Sequence, residues 1–195
     1  MHFNAYGGNA ALLAAALANL DDRCDTRAVE TLLAEHRVAR TQLTDQQLEL
    51  LRAWSLCLWE AFAACTTPEQ VAVVNRLLAD AAASPYVSTH DGQPPHLHYA
   101  DENADVVTRV RAATAAGLAL VLTETDPCRL GRCAAPGCRT VFLDVSRNGR
   151  REYCSRQCAT RVHVSEHRDR QRRREHSAPP HPRTRPGGGG RDSRG

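Results

Sequence analysis

Apolar side chains recur at helical spacing in four segments of the N-terminal part of the chain. Residues 9–20 are rich in alanine and leucine, and residues 26–36 form a second, less regular segment. Thr44 and Gln47 have the spacing of a capping box and predict the start of a third helix. The predicted core-facing positions of that helix are Leu48, Leu51, Leu58, Phe62 and Cys65, with Trp54 and Trp59 alongside.

A similar start signal at Thr67, Pro68 and Gln70 predicts a fourth helix. Turns that contain proline and glycine then bracket two short segments, residues 86–89 and 96–99, which we expect to pair as a small hairpin. The predicted buried stripe of the fourth helix consists of Val71, Val74, Leu77, Leu78 and Ala81.

The last helix of this region is predicted over residues 101–125, because the dipeptide Asp126-Pro127 ends a helix. One face of it carries Val106, Val110, Ala113, Gly117, Leu120 and Val121. Five helices and one hairpin predict a mainly α (α+β) domain over residues 1–127.

The charge of the chain changes sign at the end of this predicted domain. Residues 1–127 hold 8 arginines and 16 acidic residues, a balance of −8, whereas residues 128–195 hold 17 arginines and 6 acidic residues, a balance of +11. A basic segment attached to an acidic globular one is typical of proteins that bind polyanions. The basic side chains are arginines without any lysine, and the planar guanidinium suits phosphate and guanine recognition.

The two ends of the chain bear on location and order. Residues 176–195 are mostly proline, glycine, arginine and serine, so they are predicted to form a disordered basic tail. The N-terminus lacks the pattern of a signal peptide, and the longest apolar run, residues 10–18, is too short to cross a bilayer. We therefore expect a cytoplasmic protein that does not enter a membrane.

Cysteines in the cytoplasm are expected to be reduced, so a cluster of them indicates metal ligands. Cys133 and Cys138 form one pair and Cys154 and Cys158 another, separated by 15 residues, which is close to the spacing of zinc ribbons. Four thiolates leave no open coordination position, so the pattern predicts one structural Zn²⁺. Four unrelated buried thiols are the less favoured explanation. Spacing alone also leaves open that Cys128 replaces one ligand.

The residues between the cysteine pairs predict the rest of the module. Residues 141–145 are predicted to form a strand, residues 146–149 contain an Asn-Gly turn, and residues 150–153 are predicted to return as a second strand. Cys158 would then lie one turn into a helix that runs to about residue 175. These elements describe a small treble-clef-like zinc module over residues 128–175, whose folding depends on the metal.

Histidines offer competing ligands, and we expect none of them to bind the metal. His163 and His167 have the spacing of a helical i, i+4 pair, but a finger that used them would need an unusually long connection. In the N-terminal domain, His90, His96 and His98 fit ordinary strand positions better than a metal site.

The predicted helix after Cys154 is strongly basic. Arg161, Arg168 and Arg172 recur at i, i+7 and i+11, which places them on one face that could follow phosphates or enter a major groove. A solvated basic helix is the simpler alternative. Four further arginines lie near the ligands in sequence and are expected to offset the negative charge of a zinc tetrathiolate: Arg132, Arg139, Arg151 and Arg156.

Residues 129–170, RLGRCAAPGCRTVFLDVSRNGRREYCSRQCATRVHVSEHRDR, resemble the zinc finger of the CGNR family. The family pattern is a cysteine pair, a strand with an acidic residue, a Ser-Arg-Asn turn and a second cysteine pair that leads into a basic helix. The resemblance implies that Cys133, which follows Arg-Leu-Gly, is a ligand in preference to Cys128. It also implies nucleic-acid contacts from Arg147 and Arg151. The matching positions are Phe142, Asp144, Ser146, Arg147, Asn148, Arg151, Tyr153, Cys154, Cys158, Arg161 and His167-Arg168.

The chain departs from the family pattern in two places. The sequence Cys-Ala-Thr-Arg at residues 158–161 lacks the Gly and Asn of the name motif, and His163 replaces a lysine. No ligand is altered, so the zinc site is expected to persist, whereas contacts with nucleic acid at these positions are expected to change. Residues 75–78 and 96–99 carry a resemblance to the helical, ABATE-like domain that accompanies this finger in bacterial stress-induced transcription regulators.

These features bear on three classes of function: a DNA-binding regulator, an RNA-binding protein and an enzyme. The favoured hypothesis is a DNA-binding transcription regulator of the stress response, whose N-terminal domain binds a small molecule or mediates self-association. The alternative is an RNA-binding or ribosome-associated zinc protein, although the chain lacks clustered aromatic residues that stack on single-stranded bases. An enzyme is not expected, because the sequence has no nucleophile–base pair, glycine-rich phosphate loop or carboxylate pair at motif spacing.

Overall fold

The computed structural model describes residues 5–82, 84–89, 95–101, 103–125 and 129–177. Four predicted features lie outside these residues: Cys128, His90, the helix end at Asp126-Pro127 and the basic tail from residue 178. The elements are α1 (Ala5–Ala18), α2 (Thr26–Glu35), α3 (Asp45–Ala63), α4 (Thr67–Ala81), β1 (Tyr86–Ser88), β2 (His96–His98), α5 (Val106–Glu124), β3 (Leu130–Arg132), β4 (Val141–Leu143) and α6 (Arg156–Ser177). The predicted fold class, mainly α with a small zinc module, is confirmed.

Four helices, α1, α3, α4 and α5, enclose the main core. Helix α1 packs against α5 and α3, and α4 packs against the same two helices. Gly117 permits the close crossing of α1 and α5, because a Cβ atom at this position would lie 2.7 Å from the backbone nitrogen of Ala11. The largest fully buried side chains include Phe62, Leu17, Leu33, Leu51, Leu58, Leu77 and Leu118.

Capping boxes begin both α3 and α4. In α3, the Thr44 hydroxyl accepts from the Gln47 backbone nitrogen at 3.2 Å and the Gln47 side chain accepts from the Thr44 nitrogen at 3.0 Å, as predicted. In α4 the box lies one residue earlier than predicted and uses Thr66 and Glu69. Gln70, expected to belong to this start signal, is instead buried inside the protein.

The predicted apolar stripes are mostly confirmed, with a few differences at their edges. Cys65 follows the end of α3 and is exposed, and Val71 is also exposed. Helix α5 begins later than predicted, because Asp105 caps it by accepting from the backbone nitrogens of Val107 at 2.9 Å and Thr108 at 3.2 Å.

Helix α5 is the one helix among the described residues whose length and apolar composition would allow it to cross a membrane. However, 56% of its apolar window is buried inside the fold, against α1 and α4. Trp54 of α3 also reaches this helix, because its indole nitrogen donates to the buried Thr114 hydroxyl at 3.0 Å. The apolar character of α5 therefore agrees with a position in the protein core.

The first hairpin is confirmed, since β1 and β2 pair antiparallel with Tyr86 opposite His98. The rings of these two residues stack with their centroids 5.1 Å apart. His98 thus has an ordinary cross-strand contact in the hairpin.

The second hairpin differs from the prediction. Strand β4 pairs antiparallel with β3, with Leu130 opposite Leu143, and residues 150–153 do not form a strand. The backbone groups of that segment have other partners: the Arg151 nitrogen donates to the Asp144 carboxylate at 2.8 Å, and the Glu152 carbonyl accepts from Ala134 at 2.9 Å. The predicted strand at residues 150–153 was wrong because its hydrogen bonds go to a side chain and to the turn between β3 and β4.

The hairpin of β3 and β4 lies against α1 and α3. Leu130, Val141 and Leu143 belong to the same buried cluster as the helix side chains. At the end of α1, the Asn19 side chain donates to the Val141 carbonyl at 2.8 Å and accepts from the Val141 nitrogen at 2.8 Å. The buried Gln70 donates to the Leu130 carbonyl at 3.2 Å. The first half of the zinc module is therefore attached to the helices by core packing and by hydrogen bonds.

Candidate metal centre

Four cysteine side chains meet in the C-terminal part of the protein. Cys133 and Cys138 lie in the turn that joins β3 to β4, while Cys154 precedes α6 and Cys158 is in its first turn. The four Sγ atoms all lie within 4.8 Å of one another. The Sγ atoms of Cys138 and Cys154 are 3.8 Å apart, and those of Cys154 and Cys158 are 3.6 Å apart.

This spacing fits a tetrahedral zinc ion. Zinc–sulfur bonds of about 2.3 Å at tetrahedral angles separate neighbouring sulfur atoms by about 3.8 Å. All four donors are sulfur atoms and they fill a tetrahedral coordination sphere, so zinc bound here holds the chain together and has no free position for a substrate. The four cysteines thus form one site for a structural Zn²⁺.

Backbone hydrogen bonds give the cysteines their positions. In the first turn, the Cys133 nitrogen donates to the Thr140 carbonyl at 2.9 Å, and the Cys138 nitrogen donates to the Ala135 carbonyl at 3.0 Å. The Cys154 nitrogen donates to the Cys133 sulfur at 3.4 Å and so links the two cysteine pairs.

The pKa values of two thiols in the cluster depart from that of a free cysteine in opposite directions. Hydrogen bonds from Thr140 lower the pKa of Cys138 to about 6. Burial, together with hydrogen bonds to the neighbouring sulfur atoms, raises the pKa of Cys154 to about 11. A divalent cation bound among the four sulfur atoms would favour the thiolate form of each.

Residues 129–171 match the sequence model of a known family. That family is the CGNR zinc finger. The match covers the four clustered cysteines and begins one residue after Cys128. No curated protein matches the chain. Because the match does not reach residues 1–127, the resemblance of that region to the ABATE-like domain stays a prediction.

Arginines of the CGNR finger surround the cysteines, though not all as predicted. Arg151 donates to the carbonyls of Tyr153 at 2.9 Å and of Cys154, and its guanidinium lies 4.6 Å from the centre of the Phe142 ring. Arg161 donates to the Cys158 sulfur at 3.7 Å. Arg161 was predicted only as a nucleic-acid contact, and its position beside a ligand shows a contribution to the metal centre as well.

Other side chains near the finger have partners of their own. Arg139 lies over the Trp59 ring, 5.4 Å from its centre, and the Trp59 indole nitrogen donates to the Arg139 carbonyl at 3.0 Å. His163 packs edge-on against Tyr153, with ring centroids 5.9 Å apart. Neither His163 nor His167 belongs to the metal cluster found among the described residues.

Helix α6 extends from the metal centre as a basic surface. Of its described side chains, Cys158, Ala159 and Val162 are partly buried and the others are exposed. Arg161, Arg168 and Arg172 line one shallow groove together with Val164. The structure thus places the three arginines on one face, while their contacts with nucleic acid, like those of Arg147 and Arg151, stay predictions.

Sequence reasoning missed the residues that attach the CGNR finger to the helices. Asn19 lies 122 positions before its partner Val141, and Gln70 lies 60 positions before Leu130. A single polar residue at the end of an apolar helix carries no signal for such a distant partner. The buried Arg129 was also missed, because it resembles any other arginine of a basic segment.

Proposed function

We propose that this protein is a cytoplasmic DNA-binding transcription regulator in which the zinc-stabilised finger presents helix α6 to duplex DNA. The observation that carries this proposal is the exposed arginine face of α6, formed by Arg161, Arg168 and Arg172. Helix α6 contains seven arginines and three acidic residues, so a polyanion is its natural partner.

The shape of α6 supports a duplex as that partner. Its 22 residues correspond to a length of about 33 Å, close to one turn of B-DNA. Almost all of its described side chains face solvent, so packing in a core does not account for this helix. Phosphates along a groove would neutralise its charge over the whole length.

The metal centre gives α6 a fixed starting point. Cys158 is in its first turn, and Arg161 one turn later donates to the same sulfur. The other two ligands, Cys133 and Cys138, lie in a hairpin packed against the helical core. Zinc would thus hold the basic helix in one orientation relative to the rest of the protein.

Aromatic side chains in the finger favour a duplex over a single strand. Phe142 is buried, Tyr153 is partly buried against His163, and Trp59 beside the finger is bonded to Arg139. Proteins that bind single strands use free aromatic rings on which bases stack. In the described finger these rings are engaged with protein groups.

The N-terminal helical region completes the proposal as the part that senses a small molecule or mediates self-association. This part of the proposal is supported by the hydrogen bonds between Asn19, at the end of α1, and Val141 of the finger. A change in the position of the helices would be transmitted to the metal centre through this contact. A role in the stress response belongs to this proposal as an expectation of the family resemblance.

The test is a salt titration of binding to duplex DNA and to structured RNA by fluorescence anisotropy. The double variant Arg168→Ala/Arg172→Ala removes two arginines of the groove and leaves the metal contact of Arg161 intact. Because each lost phosphate contact reduces counterion release by about 0.9, we expect the slope of log affinity against log salt to fall by about 2.

The matched control is Arg170→Ala/Arg173→Ala, which removes the same charge from the opposite face of α6. We expect this control to change the slope by less than half as much. Equal effects of the two double variants would show that α6 acts as a diffuse charge without a binding face. A clear preference for RNA would support the RNA-binding alternative instead.

A further inference from the structure

An exposed loop, residues 145–150, follows β4 and lies between the two cysteine pairs; we name it the reading loop. Val145 is 56% exposed, and Ser146, Arg147, Asn148 and Arg150 are exposed as well. Val145 places an apolar side chain at the start of a loop whose other exposed side chains are polar or charged. The reading loop is therefore a surface whose side chains are available for binding.

A buried carboxylate fixes both ends of the reading loop. Asp144 is 0% exposed, and its two oxygens accept from the backbone nitrogens of Ser146 and Arg151, each at 2.8 Å. Burial acts to raise the pKa of Asp144, but these hydrogen bonds and the charge of Arg129 lower the pKa on balance. The carboxylate is thus ionised at neutral pH and binds the loop backbone strongly.

A buried arginine holds the same loop from the other side. Arg129 is 4% exposed and donates to the carbonyls of Asp144, at 3.0 Å, and of Ser146. Gly149 has a φ of 59°, and a Cβ atom there would lie 3.2 Å from the Arg129 guanidinium carbon. The loop is therefore packed closely around a buried, charged side chain.

This arrangement is more than the zinc site requires. The cysteines are held by bonds of their own backbone, such as that from Cys133 to Thr140, and these do not involve Asp144 or Arg129. Burying two charged groups costs several kcal/mol unless they are well paired, and one nitrogen of Arg129, Nε, has no partner among the described residues. The hydrogen bonds of these two buried groups hold the reading loop in a single conformation.

The exposed side chains of the loop have the chemistry of base recognition. Arg147 and Asn148 have no hydrogen bond or ion pair within the described part of the chain. In the major groove, arginine pairs with guanine, asparagine pairs with adenine, and an apolar group such as Val145 contacts the thymine methyl. Reading bases by hydrogen bonds requires accurately placed side chains on a fixed backbone, whereas contacts with phosphates position the protein without reading the sequence.

We propose that the reading loop determines the sequence specificity of the finger, with Arg147 and Asn148 contacting base edges in the major groove while the arginines of α6 bind phosphates. This inference rests on the proposed function, because it divides one interface with duplex DNA into two parts. Asp144 and Arg129 act as positioning residues, which hold the loop and do not touch the DNA.

The experiment begins with selection of a preferred duplex from a random library by the full-length, zinc-loaded protein. Affinities for that duplex and for a scrambled one of equal length are then measured at one salt concentration. We expect Asn148→Ala and Arg147→Ala each to lower the ratio of the two affinities by roughly 5- to 150-fold. Arg168→Ala/Arg172→Ala should weaken both affinities alike and leave the ratio unchanged.

Two features keep this test specific. Asn148→Ala changes an exposed side chain without removing a charge, so the slope of log affinity against log salt should equal that of the wild type. A fall in the ratio of the two affinities then reports the loss of a base contact. Arg129→Met tests positioning: zinc content should stay at one per chain while the ratio falls.

The outcomes separate the two proposals. Wild-type protein that binds duplex DNA without sequence preference, or loop variants that keep the full ratio, would overturn the role of the reading loop and leave DNA binding intact. Absence of any duplex binding would overturn both.

Discussion

Two glycines of the finger, Gly137 and Gly149, have backbone conformations that disfavour other residues, but only one of them is also crowded by a neighbouring side chain. Both have a positive φ, 76° and 59°, which side chains with a Cβ atom rarely adopt. A Cβ atom at Gly137 would meet nothing within 4 Å, whereas at Gly149 it would press on the buried Arg129. The pair therefore separates the cost of backbone strain from the cost of a steric contact.

We expect Gly137→Ala to destabilise the protein by about 1–2 kcal/mol through backbone strain. Gly149→Ala should lose that amount and about 1–3 kcal/mol more, because Arg129 cannot move away from the added methyl group. Thermal unfolding of the two zinc-loaded variants measures the difference. Equal melting temperatures would mean that Arg129 is not held as tightly as its hydrogen bonds indicate.

Among single residues, those that act through their own chemistry could be predicted from sequence. The four cysteines were identified because thiolates at this spacing have few other uses, and the family resemblance selected Cys133 over Cys128. Asn19, Arg129 and Asp144 differ in this respect. Their roles depend on backbone groups that the fold brings close, so their type and position in sequence gave no information about their partners.

At the level of elements, the helices were predicted better than the strands. The start of α3 was readable from sequence because both partners of its capping box lie within four residues. Strand β3 was missed since it has only three residues and pairs with β4 across the metal-binding turn. Residues 150–153 were predicted to be the strand that pairs with β4, because an Asn-Gly turn signal precedes them. In the structure, the Asp144 side chain accepts the backbone hydrogen bond of Arg151 that a strand partner was expected to accept.

The contact between α1 and β4 leads to a prediction about Asn19. Its side chain completes the hydrogen bonds of Val141 on the outer side of β4, as a neighbouring strand would. Asn19→Ala should lower the free energy of unfolding by about 1–3 kcal/mol, since it removes two hydrogen bonds. It should also speed the transfer of zinc to a chelator, which is measured with a metal-sensitive dye.

Asn9→Ala provides the control for this experiment. Asn9 lies on the same helix and donates to the His36 carbonyl at 2.6 Å, away from the finger. Its loss should destabilise the helices without changing the rate of zinc transfer. If both variants release zinc equally fast, general loosening of α1 would explain the effect, and Asn19 would have no particular role at the hairpin.

In the whole molecule, the finger divides into a half that shares the helical core and a half that depends on the metal. Leu130, Val141 and Leu143 are buried with the helix side chains. Residues from 145 onward are joined to the rest of the protein by the cysteine cluster and by hydrogen bonds with Asp144, Arg129 and Ala134. The separation of domains near residue 127 stays a prediction, and these contacts indicate where to test it.

Removal of zinc should therefore affect the two halves of the finger differently. After chelation, we expect residues 145–177 to exchange their amide hydrogens rapidly, because α6 loses the ligands that hold its first turn. Residues 130–143 should remain protected by their packing against α1 and α3. Hydrogen exchange with mass spectrometry measures both segments at once. Equal loss of protection in the two segments would show that the metal also maintains the hairpin.

The distance of 122 residues between Asn19 and Val141 has a consequence for synthesis of the chain on the ribosome. Helix α1 is made before α5 and β4, against which it packs, and β4 follows more than a hundred residues later. During that interval its buried face, which includes Leu13 and Leu17, lacks its final cover. Helix α1 thus reaches its native surroundings only when the segment around the first two zinc ligands has been translated.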